Sequence, residues 1–265
     1  MLRPMTHKTR IRILDQHGRF AHPEEQLDAF LLQSRPLLTE SEYLIPYPIC
    51  KAFSDRLLVD VGTVPIEQSS QGLLPWELAC CWIDEEGDPK IRMRPTKNKK
   101  ISYNSILVHE LVHAVRARLS SKKFEEFCAY DTCSVLSPLP KWRKFLGPLF
   151  SSAREVLVIL LLLWCNFILP FFFRLHPHPF SLLIIPALCL GLPLMRLIYR
   201  WRIWNKATKN IQAYWPERTY ALLVRLGDDE ITWLSKLPRE KVPDAVHEKA
   251  MHEWRWEFFV EHILK

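Results

Sequence analysis

The sequence lacks the cysteine pattern of a disulfide-stabilised protein. Its 7 cysteines are odd in number and scattered, and no two of them have CxxC spacing, although Cys80 and Cys81 are adjacent. Scattered cysteines of this kind are typical of reduced thiols inside the cell rather than of a disulfide framework. We therefore expect free thiols and a cytosolic setting.

The start of the sequence lacks an apolar core. Residues 1–19 are basic and polar, so we expect no secretory signal peptide and a cytoplasmic location for the region that follows. The sequence also lacks internal repeats and low-complexity segments. Its length of 265 residues is typical of one medium domain with additions, or of two small domains.

Acidic residues are too few to balance the basic ones, and the net charge is +7. The basic residues cluster beside apolar segments, at Lys141, Arg143, Lys144, Arg154, Arg196, Arg200, Arg202, Lys206 and Lys209. This distribution is typical of the cytoplasmic flanks of membrane segments and of attraction to anionic lipid. We therefore expect a lipid bilayer as a partner, and no nucleic acid.

The motif that organises the chain is His109-Glu110-Leu111-Val112-His113, which has the pattern HExxH. Apolar residues recur around it at helical spacing, so we expect a helix on which His109 and His113 share one face. Two imidazoles four residues apart can bind one metal ion. Glu110 lies at the flank of that face, where it can take a proton from a water molecule held by the metal. The motif therefore predicts a zinc peptidase.

A plainer interpretation of the motif is a pair of helix-surface histidines hydrogen-bonded to neighbouring side chains. The chain contains a useful contrast in His247 and His252, which are five residues apart. On a helix these two would be separated by about 140° and could not share a metal ion. We expect them to be ordinary surface histidines.

The residues after the motif resemble the gluzincins, the thermolysin-like zinc peptidases. In that family a second helix brings a glutamate to the metal, often as Glu-x-x-Ala, and here Glu126 and Ala129 match the pattern. The resemblance covers about 35 residues and implies zinc held by His109, His113 and Glu126. The sequence departs from the family because only 12 residues lie between His113 and Glu126, so Glu125 and Asp131 remain alternatives for the third ligand.

Short β-strands are expected before the motif. The segment 56–61 (RLLVDV) has a strand-like composition, while the prolines of 43–51 favour extended chain over helix. Segments 77–84 and 90–94 flank a turn sequence and predict a hairpin. We therefore expect a small antiparallel sheet with residues 91–94 at its edge, available to bind an extended peptide.

Two apolar segments follow the motif. Val156–Phe173 contains 18 uncharged residues, which as a helix would be about 27 Å long and close to the thickness of a bilayer core. A second uncharged segment runs from Phe180 to Met195, directly before Arg196. With basic residues flanking both outer ends, these segments predict a transmembrane hairpin whose two flanking regions are cytoplasmic.

The predicted fold is therefore α+β: a small antiparallel sheet and a zincin-like helix pair, a two-helix transmembrane hairpin, and a helical C-terminal region. We expect a zincin-like metallopeptidase domain at 1–137, a basic, proline-rich juxtamembrane linker at 138–153, the transmembrane hairpin at 154–199 and a helical cytoplasmic region at 200–265.

The expected function is that of a membrane-anchored zinc endopeptidase acting on peptide or protein substrates. Glu110 is the expected general base, and water held by the zinc is the expected nucleophile. The alternative is a non-catalytic membrane adaptor or pseudoprotease with a structural metal site. Intramembrane proteolysis is excluded, because Arg116 and Arg118 follow the motif and it precedes the apolar segments by about 40 residues.

Overall fold

The computed structural model describes residues 7–16, 20, 22, 25–27, 45–75, 77–85, 88–95, 103–119, 121–136, 144, 147–150, 158–166 and 179–265. Its α-helices are α1 His7–Gln16, α2 Tyr47–Leu57, α3 Tyr103–Arg116, α4 Glu125–Leu136, α5 Pro179–Gln212, α6 Thr219–Leu223, α7 Asp228–Lys236, α8 Val242–His252 and α9 Trp254–His262. Residues 158–166 are also helical. The strands are β1 Ile66–Gln68, β2 Ala79–Ile83 and β3 Pro89–Met93. The described part of the chain is thus mostly helical, with one small sheet.

The sheet is mixed, so the predicted antiparallel sheet is wrong. Its strand order is β1-β3-β2, with β1 parallel and β2 antiparallel to β3. Residues 91–93 lie in the central strand rather than at an edge, because β3 has a partner on each side. The inward side chains Ile91 and Met93 are buried accordingly. Among the described strands, β2 is the edge strand on the side of the HExxH helix.

Helix α2 occupies residues that the sequence predicted to be extended. Pro48 stands in the first turn of this helix, where a backbone N–H has no helical partner to lose, so proline is tolerated there. The helix continues to Leu57 and ends at Leu58, which adopts a left-handed conformation with φ of 57°. Residues 56–61 therefore form the end of α2 and the following loop, not a strand.

The HExxH motif lies on α3, as predicted. Leu107, Leu111 and Val115 are buried on the inner face of this helix, and α3 packs against α4, β2 and β3. The turn between α3 and α4 is bound by Asp228, whose carboxylate accepts hydrogen bonds from the hydroxyl of Ser121 at 2.6 Å and the backbone N–H of Phe124 at 3.1 Å. Burial alone would raise the pKa of Asp228, but these bonds hold it below its usual range.

The C-terminal helices belong to the same core as α3 and α4. Arg225 is fully buried, pairs with both carboxylate oxygens of Asp15 on α1, and donates to the carbonyl of Leu57 at 2.7 Å. The indole of Trp256 is also fully buried and donates to Glu230 at 2.9 Å. The Arg225 contacts hold the C-terminal region against α1 and the end of α2, and the Trp256 contact joins α9 to α7.

Among the described residues, no helix combines the length and apolar character that crossing a bilayer requires. The predicted transmembrane hairpin and the predicted integral-membrane location are therefore wrong. Helix α5 runs through the expected boundary at residue 199, and its C-terminal half packs into the core through Trp204 and Ile211. Of the first apolar segment, only 158–166 is described; residues 156–157 and 167–173 lie outside the described residues.

Candidate metal centre

Helices α3 and α4 bring together three side chains that could bind a metal ion. Nε2 of His109 lies 3.1 Å from Nε2 of His113. Oε2 of Glu126 lies 3.4 Å from Nε2 of His109, and Oε1 of Glu126 lies 3.6 Å from Nε2 of His113. Among the described residues these three side chains form the group that could hold a metal ion, with donor atoms within 4.8 Å of one another.

The spacing of these atoms fits a single metal ion. Donor atoms about 2.0–2.2 Å from one tetrahedral ion lie roughly 3.3–3.6 Å from each other. At this site the two Nε2 atoms lie 3.1 Å apart, and the nearest Glu126 oxygen, a different one for each ring, lies 3.4 Å from His109 and 3.6 Å from His113. Two imidazoles and one carboxylate are also a donor set that zinc accepts in catalytic sites, where a fourth position stays open. The residues therefore fit a zinc ion in both chemistry and geometry.

Glu125 fixes the orientation of His113. Its Oε1 lies 3.0 Å from Nδ1 of His113, and its Oε2 accepts a bond of 2.9 Å from Nε of Arg116. Burial would raise the pKa of Glu125, but Arg116 and His113 hold it below its usual value. Because an ionised carboxylate only accepts hydrogen bonds, Nδ1 of His113 carries the proton and donates it. In the neutral ring, Nε2 then presents its lone pair to the metal position.

Arg116 connects this pair to the C-terminal region. Its guanidinium is buried, and Nη1 donates to the carbonyl oxygens of Leu223, Val224 and Leu226 at 3.0–3.1 Å. These carbonyls lie at the end of α6 and just after it, about 110 residues further along the chain. The orientation of the metal-binding His113 therefore depends on packing between α3 and the C-terminal helices.

Acidic side chains set the electrostatics of the site. Burial would lower the pKa of His113, yet its bond to Glu125 and the charge of Glu126 raise it to about 9. Burial would raise the pKa of Glu126, but His109 and His113 hold it below its usual value. The carboxylates of Glu125 and Glu126 therefore attract positive charge to this position, whether a proton on His113 or a divalent cation in its place.

Glu110 lies in the same cleft and points towards β2. Burial raises the pKa of its carboxyl, and the charges of His109 and His113, together with a hydrogen bond from the backbone N–H of Cys81, act in the opposite direction. The net result is a pKa above the usual value, which suits a group that both accepts and returns a proton near neutral pH. Glu110 is thus placed for proton transfer beside the three metal-binding residues.

The structure separates the alternatives for the third ligand. Glu125 is engaged by His113 and Arg116. Asp131 accepts a bond of 2.9 Å from the indole of Trp204 and pairs with Lys144, so it belongs to the packing of α4 against α5. Glu126 is the carboxylate that faces both imidazoles.

Tyr130, in the middle of α4, packs against His109. Its ring centroid lies 4.4 Å from that of His109. Gly147 sits directly on the other side, since a Cβ at that position would come within 2.4 Å of the Tyr130 ring. The close approach allowed by this glycine keeps Tyr130 against His109, so Tyr130 limits how far the imidazole can rotate.

The cleft beside these residues has a volume of about 420 Å³ and is open to solvent on one side. Strand β2 forms one wall through Ala79, Cys80, Cys81 and Ile83. The sequence analysis missed the contributions of β2 and Arg116. The sequence places Arg116 about one helical turn after His113, but this position does not indicate which groups its guanidinium would contact.

No family model, no curated protein and no solved structure matches the chain. The function proposed for the chain therefore rests on the geometry of its site.

We expect replacement of Glu125 by glutamine to weaken zinc binding by about 10–100-fold, the usual cost of removing a carboxylate that orients a metal-binding histidine. Glutamine keeps the size of the side chain but loses the charge that holds Nδ1–H of His113 and Nε of Arg116. Competition with a chromogenic chelator would measure the change. Glu240→Gln, at an exposed position, is the control, and equal affinity in the two variants would contradict the orienting role.

Proposed function

We propose that the chain is a zinc-dependent peptidase that hydrolyses peptide bonds in the cleft between α3, α4 and β2. The observation that carries this proposal is the convergence of His109, His113 and Glu126, with Glu110 beside them in the same cleft. Three metal-binding residues with an adjacent buried carboxylate form the minimal set for metal-assisted hydrolysis.

His109, His113 and Glu126 would hold the ion, and Glu125 would keep His113 in the required tautomer. A zinc ion at this position supplies a Lewis acid that lowers the pKa of water and polarises a carbonyl group. Glu110 would accept a proton from the attacking water and return it to the amine that leaves. The raised pKa of its carboxyl supports this role, because a base that must also act as an acid works best with a pKa near the working pH.

The position of β2 supports an extended peptide as the substrate. This strand pairs with β3 on one side, and among the described strands it has no partner on the other. Ala79, Cys80 and Ile83 line the cleft beside the metal-binding residues. A peptide that added to this edge as a further strand would lie along the cleft, with its backbone bound by main-chain hydrogen bonds. The edge strand of this proposal is β2, in place of the residues 91–94 suggested by the sequence.

We expect the purified full-length chain to contain about one zinc ion per molecule, because three protein ligands give a site of the catalytic type. Elemental analysis would measure the ratio, and His113→Ala should reduce it to background. His247→Ala is the matched control, since His247 is exposed and lies on α8. A preparation that stays free of zinc after exposure to added metal would overturn the proposal. Stoichiometric zinc without cleavage of any peptide would favour a structural metal site instead.

A further inference from the structure

Helix α5 has one exposed face whose chemistry changes along its length. Side chains three or four residues apart lie on the same face of a helix. Leu188, Leu192, Met195 and Tyr199 follow this spacing and are between 52% and 68% exposed. The same spacing then continues through Arg202, Lys206 and Lys209, which are also exposed. The outward face of α5 is therefore apolar in its first part and basic in its second part.

The opposite face of α5 fixes this orientation. Leu197, Trp204, Ala207 and Ile211 are buried in the common core, and α5 packs closely on α7. Rotation of the helix to hide the apolar stripe would expose these core residues and the indole of Trp204, which donates to Asp131. The exposed stripe is thus held outward by the fold.

A second exposed apolar surface lies beside the stripe. In helix 158–166, the side chains of Val158, Leu160, Leu161, Leu162 and Trp164 are between 46% and 59% exposed. The two helices border an apolar groove of about 370 Å³, which Val158, Ile159, Leu192 and Leu197 line together with Arg196 and Arg200. Contiguous apolar surface of this kind marks an interaction site.

We propose that this surface, formed by the outward face of α5 and by helix 158–166, docks on an anionic lipid surface. The apolar part would enter the boundary between headgroups and acyl chains, as amphipathic interfacial helices do. Arg202, Lys206 and Lys209 would contact the anionic headgroups. Tyr199 stands where the apolar part meets the basic part, and tyrosine favours the membrane–water interface.

The charge of α5 distinguishes a lipid surface from a second copy of the chain. Residues 179–212 contain basic side chains and no aspartate or glutamate. Two such helices brought face to face would repel each other, whereas an anionic bilayer attracts every cation on the stripe. The docking surface is independent of the metal centre, so the proposal does not depend on peptidase activity.

Flotation of the full-length protein with lipid vesicles would test the proposal. We expect binding to vesicles of phosphatidylcholine mixed with phosphatidylglycerol, and much weaker binding to phosphatidylcholine alone. Raising the salt concentration from about 0.1 M to about 1 M should weaken the binding, because the screening length falls from ~10 Å to ~3 Å.

Substitutions on the two parts of the stripe should act through different physical effects. The triple variant Arg202→Gln, Lys206→Gln, Lys209→Gln should bind anionic vesicles about 100-fold more weakly, given the usual ~5-fold per cation at a membrane surface. The double variant Leu192→Ser, Met195→Ser should also lose at least about 10-fold, because it removes apolar surface from the interface. Both changes are at exposed positions, and circular dichroism would verify that each variant is folded.

The matched control removes three exposed cations elsewhere, in the variant Lys236→Gln, Arg239→Gln, Lys241→Gln. This control should keep nearly full binding. An equal loss in the control and the stripe variant would show attraction by net charge alone and would overturn the proposal. Failure of the wild-type chain to bind anionic vesicles would also overturn the proposal. So would dimers of the wild-type chain that the Leu192→Ser, Met195→Ser variant no longer forms.

Discussion

Replacement of Glu110 by glutamine is expected to lower the rate of peptide cleavage by about 10²–10⁴-fold, the usual cost of losing a general acid–base group. The amide keeps the size of the side chain and can still accept the hydrogen bond from Cys81, but it cannot take a proton. His109, His113 and Glu126 are unchanged, so zinc should stay bound at about one ion per chain. Cleavage of a disordered protein such as casein and elemental analysis would measure the two quantities separately.

Glu240→Gln is the control for this prediction, since Glu240 is exposed and the same carboxylate-to-amide change there should leave both quantities at the wild-type level. Loss of zinc in the Glu110 variant would mean that Glu110 binds the metal and that its role has been assigned wrongly. Unchanged cleavage with zinc retained would remove Glu110 from the mechanism.

Replacement of Glu126 by glutamine is expected to weaken zinc binding by more than about 100-fold, because loss of an orienting carboxylate alone already costs 10–100-fold. The amide oxygen carries no charge, and the site loses the carboxylate that faces both imidazole nitrogens. Cleavage should fall in parallel when zinc is scarce. A chelator competition assay would measure the affinity, and activity at increasing zinc concentration would show whether excess metal restores cleavage.

Comparison with Glu125→Gln shows which of the two adjacent carboxylates binds the metal and which orients His113. We expect the Glu126 variant to lose clearly more affinity than the Glu125 variant, since Glu126 faces the metal position and Glu125 acts through His113. The reverse order would make Glu125 the third ligand. Equal wild-type affinity in both variants would return Asp131 to consideration, although the structure places it against Trp204 and Lys144.

Local sequence patterns predicted the centre of the site. The spacing of His109 and His113, with apolar residues at helical intervals, was sufficient to predict α3, and Glu126 with Ala129 suggested α4 as the source of the third ligand. Such patterns depend on residues three or four apart, which a single helix brings together whatever surrounds it. The same reasoning correctly left His247 and His252 as surface residues.

The same local reasoning gave the wrong fold for the segments flanking the site. Proline in residues 43–51 suggested extended chain, but Pro48 occupies a first-turn position where its missing N–H has no cost. Apolar composition at 156–199 suggested a membrane hairpin, but α5 continues into basic residues and packs on the core. Composition measures how apolar a segment is, and it does not specify what covers that segment.

Spacing within one helix was enough to predict the HExxH helix, the shared face of His109 and His113, and the place of Glu110 beside that face. Packing between elements settled which carboxylate faces the imidazoles, which one orients His113, and that β2 forms a wall of the cleft. Arg116 shows the reason most clearly, since its carbonyl partners lie at the end of α6 and just after it, more than 100 residues away. Contacts at that separation depend on how whole elements pack, and local patterning carries no information about them.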